Sequence, residues 1–120
     1  LLRNGVDIEH ITFSSDGNGS MPIFDDSGKL VGLGICSVQT LYREVKDSIN
    51  EYNVPIEKAI QVITSNVAEV LKLDNKGRIE SGRDADLVMV DKETLDIDTV
   101  IAKGKVLVSK GESIIKPTFE

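Results

Sequence analysis

The sequence has little of several residue types that commonly carry chemistry or cross-links. Its 120 residues include one cysteine, one histidine, no tryptophan and 4% aromatic side chains. A lone cysteine cannot form a disulfide framework within the chain, and a lone histidine cannot build a multi-histidine zinc site. Because 14 basic residues are outnumbered by 20 acidic ones, the chain lacks the basic footprint of a nucleic-acid-binding protein.

Long hydrophobic runs are also missing. The longest apolar stretch, residues 30–38, contains glycines and falls well short of the roughly 20 residues that span a membrane. The start of the chain shows no secretory leader, and a single cysteine gives no sign of an oxidising compartment. We therefore expect a cytoplasmic protein with no nucleic-acid partner and no membrane partner.

The residues that are present fit a globular chain. Hydrophobic residues make up 40% and charged residues 28% of the sequence, and the net charge of −6 favours solubility. The chain begins at Leu1 rather than at a methionine, and its first strand candidate, residues 11–14, has no earlier strand to pair with. From these two observations we expect a piece of a longer protein.

Residue patterns divide the chain into three zones. In residues 1–35, β-branched and aromatic residues at 11–14 predict a strand that ends in the glycine-rich loop 15–20. Residues 25–28 form a second turn signal. In the next zone, apolar residues recur at steps of three and four and predict a helix over residues 38–52. These residues are Val38, Leu41, Val45, Ile49 and Tyr52.

Punctuating residues mark the later elements. Pro55 is well placed to open the next helix at its first position, and residues 64–66 can interrupt and recap that helix before a short amphipathic segment. From residue 74 onward, glycine turns alternate with short β-branched runs. This alternation predicts a small antiparallel β unit.

Asp16 is the residue best suited to chemistry. It lies where an apolar segment gives way to a glycine-rich loop, and functional groups of barrel and open α/β folds project from the carboxyl ends of strands. A carboxylate there can ligate a metal or act as a general base. The alternative is a turn aspartate that bonds its own loop. An EF-hand loop is excluded because its positions for Gly and Glu hold Met21 and Ser27.

The remaining candidates favour structural roles. His10 precedes the predicted strand, at the end opposite to Asp16, and suits a surface or packing position. Cys36 has no cysteine or histidine partner at ligand spacing, which is typical of a small buried hydrophobic residue. The acids and the arginine of residues 82–87 look functional as a group, but a glycine turn capped by Asp84 is the favoured interpretation.

Three stretches resemble the amidohydrolase superfamily. Residues 15–20 (SDGNGS) and residues 64–73 (TSNVAEVLKL) are similar to the C-terminal third of these enzymes. Residues 76–88 (KGRIESGRDADLV) resemble the closing signature of the superfamily. The motif SSDGNGS, together with the ending KPTFE at residues 116–120, resembles the isoaspartyl dipeptidase (β-aspartyl peptidase) family within it.

The resemblance implies an α/β fold. Residues 1–73 would be the C-terminal portion of a metal-dependent (β/α)8 barrel, with its last strand and helices, and residues 74–120 the C-terminal strands of a small β-sandwich. The implied reaction is hydrolysis of β-linked isoaspartyl dipeptides at a binuclear zinc centre. Asp16 would contact the zinc ions, accept the proton of the attacking water and help to hold the substrate's α-amino group. Ser20 would contact the substrate.

The family's other ligands have no counterpart in this chain. They are a His-x-His pair, a carboxylated lysine and two further histidines, whereas His10 is alone and in the wrong place. We therefore expect a C-terminal fragment that is inactive alone. We also expect a homo-oligomer, or self-association of the fragment through unpartnered apolar faces. Two alternatives stay open: another amidohydrolase, such as a deacetylase or a dihydropyrimidinase-like enzyme, and a non-catalytic assembly module.

Overall fold

The computed structural model describes residues 1–115, and the chain divides into two compact units between Val67 and Ala68. Helices and strands are both present, as the α/β prediction requires. In the part of the chain that is described, no helix is long and apolar enough to cross a membrane. The predicted family ending at residues 116–120 lies outside the described residues.

A β-hairpin forms the first sheet. Strand β1 (Ser20–Phe24) pairs antiparallel with β2 (Leu30–Ile35). The Asp25 carboxylate closes the turn, accepting hydrogen bonds from the Ser27 hydroxyl at 2.6 Å and from the main-chain N–H of Lys29 at 3.0 Å. These two hydrogen bonds hold the pKa of Asp25 below its usual 3.8. The turn predicted over residues 25–28 is confirmed.

One face of this hairpin is apolar and exposed. Pro22 and Leu33 are directly opposed in the ladder, and Ile35 lies two residues after Leu33 on the same face. The exposed fractions of Leu33 and Ile35 are 70% and 76%. Apolar patches of this kind commonly mark contact surfaces.

The strand predicted over residues 11–14 is not formed in the described chain. Ile11 has extended dihedral angles (φ −112°, ψ 128°), and the N–H of Phe13 donates to the carbonyl of Val62 at 3.0 Å. However, no strand within residues 1–115 pairs with this segment. A strand needs a ladder partner for its backbone groups, so the local pattern alone led to a wrong prediction.

Helices supply the rest of the first unit, and the last of them continues past the unit's final residue, Val67. Two 3₁₀ turns, Leu2–Asn4 and Ile8–His10, precede the hairpin, and α1 (Thr40–Asn50) follows it. Next come α2 (Ile56–Ala59), the 3₁₀ turn Ile60–Ile63 and α3 (Ser65–Val70). Pro55 stands immediately before α2, and its carbonyl accepts hydrogen bonds from the N–H groups of Lys58 and Ala59. The predicted helix over residues 38–52 and the interruption at 64–66 are confirmed to within two residues.

The apolar faces of these helices form a small core. Val45 of α1 is 1% exposed, and it clusters with Ile11, Ala59 and Val62, which are also buried. One polar residue enters this region: the side-chain amide of Asn66 donates to the carbonyls of Ile8 and Ile11, each at 2.8 Å. Asn66 therefore ties the N-terminal segment to the start of α3.

The second unit contains an antiparallel sheet in which consecutive strands are neighbours. Its strands are β3 (Leu87–Val90), β4 (Ile97–Ala102), β5 (Lys105–Ser109) and β6 (Glu112–Ser113). This arrangement confirms the predicted antiparallel unit. The assignment of residues 1–73 to a barrel and of residues 74–120 to a sandwich stays a prediction, because a single four-stranded sheet is described after residue 74.

Candidate functional site

Asp16 lies in a tight loop with an unusual backbone. Asp16 and Asn18 both have positive φ angles, 48° and 67°, a region that Asp and Asn tolerate better than most residues. The N–H of Asp16 donates to the Ser14 hydroxyl at 3.3 Å, and the N–H of Gly19 donates to the Asp16 carbonyl at 2.8 Å. The loop thus turns sharply and leaves the Asp16 side chain exposed.

The base of the hairpin anchors this loop. The N–H of Asn18 donates to the carbonyl of Cys36, and the N–H of Cys36 donates to the carbonyl of Gly19, both at 2.9 Å. The loop is therefore joined to the chain that follows β2 by two main-chain hydrogen bonds. Sequence reasoning missed this contribution of Cys36, because it is made by backbone atoms that leave no side-chain signal.

Gly19 allows a close approach to the Asp16 side chain. A Cβ atom at position 19 would lie 2.5 Å from Asp16 Oδ2, 2.7 Å from its Cγ and 2.8 Å from its main-chain oxygen. Real Cβ atoms do not approach other atoms so closely. The absence of a side chain at Gly19 is therefore a condition for the observed position of the carboxylate.

The other predicted residues take simpler places. Ser20 is the exposed first residue of β1, directly after the loop and opposite Ile35. His10 is exposed at the end of a 3₁₀ turn. Cys36 is half-buried rather than buried, because it borders the exposed hairpin instead of the core. Asp16 and Ser20 thus belong to one continuous segment, and nothing in the structure assigns chemistry to His10.

Residues 1–115 do not assemble a complete metal centre by themselves. Within residues 1–115, no group of three or more His, Cys, Asp or Glu residues could hold a metal ion. Asp16 has the oxygen chemistry of a metal ligand, but it can supply only one part of a ligand set. A binuclear zinc site therefore needs ligands from outside these residues.

Residues 82–87 form a structural network in the second unit. The Lys76 ammonium contacts the carboxylates of Asp84, at 2.7 Å, and of Asp86. A second Asp86 oxygen accepts the N–H of Lys103 at 2.7 Å, and Arg83 pairs with Glu80 at 2.6 Å. Asp86 thus connects the loop before β3 to the turn between β4 and β5. Gly82 has the positive φ angle of a turn, but the Asp84 side chain binds Lys76 instead of capping that turn, so the structural role is supported and the predicted cap is not observed.

This network predicts a pH dependence. The hydrogen bond from Lys76 lowers the pKa of Asp86 below 3.8, and the hydrogen bonds to Asp84 and Asp86 raise the pKa of Lys76 above 10.5. The interactions that lower the pKa of Asp86 stabilise the folded state above about pH 4. This contribution is lost as the pH falls through the folded-state pKa of Asp86. The Lys76 contribution is present below about pH 10 and is lost at higher pH.

Replacing Asp86 by asparagine is therefore expected to lower the thermal unfolding temperature modestly at pH 7, since the pair is partly exposed. The difference from the wild type should shrink as the pH falls through the lowered folded-state pKa of Asp86, because the carboxylate is then lost from the ion pair in the wild type as well. Thermal unfolding followed by circular dichroism between pH 7 and 2.5 measures both effects. Glu93→Gln, at an exposed turn, is the control, and an undiminished difference at low pH would contradict the ion-pair role.

Known proteins are similar to this chain in sequence and fold. A model of the amidohydrolase family matches residues 1–107. Among solved structures, a β-aspartyl dipeptidase from Fervidobacterium islandicum AW-1, in complex with the β-Asp-Leu dipeptide, is 39% identical with a TM-score of 0.83. That match covers 99% of this chain and 31% of the dipeptidase chain.

Curated relatives have different activities in their names. An adenine deaminase from Dehalococcoides mccartyi is 39% identical over 61 residues, which cover 50% of this chain and 11% of the deaminase. An N-acetylglucosamine-6-phosphate deacetylase from Lysinibacillus sphaericus is 34% identical over 76 residues, 63% of this chain and 19% of the deacetylase. The chain therefore spans less than a third of the length of each of these proteins.

Proposed function

Because the chain belongs to the amidohydrolase family, we propose that it is part of a hydrolase that cleaves the β-linked peptide bond of isoaspartyl dipeptides. The supporting observation is the likeness to the β-aspartyl dipeptidase, which extends over 99% of the chain at 39% identity. The adenine deaminase and the deacetylase match 50% and 63% of the chain, and a 5-methylthioadenosine/S-adenosylhomocysteine deaminase from Dictyoglomus thermophilum matches 93% of it at the lower identity of 28%. The motif at residues 15–20 favours the same substrate class.

Asp16 is the proposed catalytic residue. Its carboxylate is exposed on a loop that two main-chain hydrogen bonds attach to the base of the hairpin. A carboxylate on an anchored loop can accept a proton from an attacking water and return it to the leaving amine. Its negative charge also suits the free α-amino group of a dipeptide. We propose both roles for Asp16.

Zinc is proposed for the longer protein rather than for this chain alone. Zinc ions, where bound, would polarise the scissile carbonyl and activate water. Asp16 is the ligand that this chain would contribute, since no group of three potential ligands exists in the described residues.

Ser20 is the proposed substrate contact. Ser20 is the fourth residue after Asp16 and the first residue of β1. Its backbone position is therefore set by pairing with Ile35 in the ladder. A hydroxyl can donate to a substrate carboxylate and accept from an amine. An isoaspartyl dipeptide has both groups, which supports this assignment.

A substrate panel tests the proposed function. The full-length protein should release aspartate from β-Asp-Leu and leave α-Asp-Leu, which has the same composition and the ordinary linkage, uncleaved. Adenine and N-acetylglucosamine-6-phosphate are included because two relatives are named for them. Turnover of either instead of β-Asp-Leu would favour a different amidohydrolase, and no turnover of any substrate would favour a non-catalytic module.

The isolated chain of residues 1–120 is expected to show no hydrolysis of β-Asp-Leu and no stoichiometric zinc. The reason is that Asp16 alone cannot assemble the ligand set. Aspartate release and elemental analysis of the dialysed chain measure the two properties, with the full-length protein as the positive control. Enzyme-like turnover by the isolated chain would refute this prediction.

A further inference from the structure

We propose that Gly19 is a positioning residue for the Asp16 carboxylate, an inference that rests on the proposed role of Asp16. The contact between them is unusually close. A Cβ at position 19 would approach Asp16 Oδ2 to 2.5 Å and Cγ to 2.7 Å. Gly19 thus leaves open the space beside the carboxylate that any other residue would fill.

Backbone conformation does not require glycine at this position. Gly19 is not among the glycines with positive φ, a group that includes Gly28 of the hairpin turn and Gly104 of the β4–β5 turn. Alanine could adopt a backbone outside the left-handed region without a conformational penalty. The cost of a side chain at position 19 therefore comes from its contact with Asp16, both its side chain and its main-chain oxygen.

The loop cannot easily move away from such a side chain. The N–H of Asn18 and the carbonyl of Gly19 are both held by Cys36 at 2.9 Å, and the N–H of Gly19 is held by the Asp16 carbonyl at 2.8 Å. Moving Gly19 would break these bonds. Within residues 1–115 no hydrogen bond holds the Asp16 carboxylate, so its rotation is the smaller adjustment that relieves the contacts with Oδ2 and Cγ, whereas the contact with the Asp16 main-chain oxygen remains.

Gly17, in the loop itself, and Gly32, in the hairpin, provide the contrast. At Gly17, a Cβ would meet the Cγ1 methyl of Val38 at 2.5 Å, but Val38 is 65% exposed and its side chain can rotate. At Gly32 in β2, the nearest atom would be 4.0 Å away. Gly19 differs from both because the atoms it would displace belong to the proposed catalytic acid.

The test compares Gly19→Ala with Gly32→Ala in the full-length protein. Gly19→Ala should lower kcat/KM for β-Asp-Leu by about 100-fold per folded molecule, the size of effect that an ångström-scale misplacement produces. Gly32→Ala should stay within about twofold of the wild type. An unchanged kcat/KM in Gly19→Ala would overturn the proposal.

A thermal double-mutant cycle provides a readout that does not depend on activity. The drop in unfolding temperature caused by Gly19→Ala should be clearly smaller when Asp16 is already alanine, because Oδ2 and Cγ are then absent. If Gly19→Ala does not fold, the double variant should recover folding. If Gly19→Ala lowers the unfolding temperature equally in the wild type and in Asp16→Ala, the proposal is overturned and Gly19 serves only the turn. The same conclusion follows if neither Gly19→Ala nor the double variant folds.

The cycle also separates the two proposals. If the wild-type protein does not cleave β-Asp-Leu but the cycle shows coupling, the proposed function fails while the positioning contact stands. If the wild type cleaves the dipeptide and the cycle shows no coupling, the positioning role of Gly19 fails while the proposed function stands.

Discussion

Replacing Asp16 by asparagine in the full-length protein is expected to lower kcat for β-Asp-Leu by about 100- to 10,000-fold. A positioned general acid or base contributes a rate factor of about this size, which its removal would abolish. Asparagine keeps the size and the polar character of the side chain but cannot accept a proton from water. Initial-rate measurements over a range of dipeptide concentrations give kcat and KM separately.

The matched control is Asp26→Asn. Asp26 is an exposed acid in the hairpin turn of the same unit, so it reports any general effect of removing one negative charge. It should leave kcat within about twofold of the wild type. A kcat within tenfold of the wild type in Asp16→Asn, with the protein folded, would remove Asp16 from the proposed chemistry.

Replacing Asn66 by alanine is expected to destabilise the protein by about 2–4 kcal/mol, because two carbonyls would lose their donor in a buried region. The Asn66 side chain is 5% exposed, and its amide donates to the carbonyls of Ile8 and Ile11 at 2.8 Å. The free energy of unfolding in urea measures the loss.

Asn50→Ala is the control for this prediction. Asn50 is the exposed last residue of α1, so its truncation removes the same side chain without leaving buried groups unpaired. We expect a change of at most about 0.5 kcal/mol there. Equal losses for the two variants would show that the Asn66 hydrogen bonds contribute little to stability.

Local patterns predicted the helices of the first unit well. The helix expected over residues 38–52 is α1 (Thr40–Asn50), and the expected start at Pro55 is one residue from the observed start of α2. Spacing of apolar residues and the fixed φ of proline act within a few residues, so they can be interpreted without the rest of the fold. The same holds for the turn at residues 25–28, which Asp25 closes by itself.

Strands were harder to predict because a strand needs a partner. Residues 11–14 have strand-like composition but no ladder in the described chain, whereas residues 20–24 contain Pro22 and still form β1. Proline fits there because a two-stranded hairpin has open edges that do not need every N–H group. Composition describes the preference of a segment, and pairing decides its structure.

The candidate site was predictable in part. Asp16 and Ser20 could be selected from the sequence, because a carboxylate and a hydroxyl in a glycine-rich loop are visible as residue types. The support given by Cys36 could not, because the interacting atoms belong to the backbone. The role of Gly19 could not be predicted either, because the sequence does not show which atoms lie where its side chain would be.

The sequence by itself determined the family, the order of the helices and the turns, and the residue proposed for catalysis, because these depend on local residue types and their spacing. The tertiary structure decided which segments pair as strands, that Asn66 reaches back to Ile8 and Ile11, and that the acids of residues 84–86 bind Lys76 and the Lys103 N–H. Those outcomes depend on contacts between residues that are separated in the sequence, and such residues come within contact distance only when the backbone has folded.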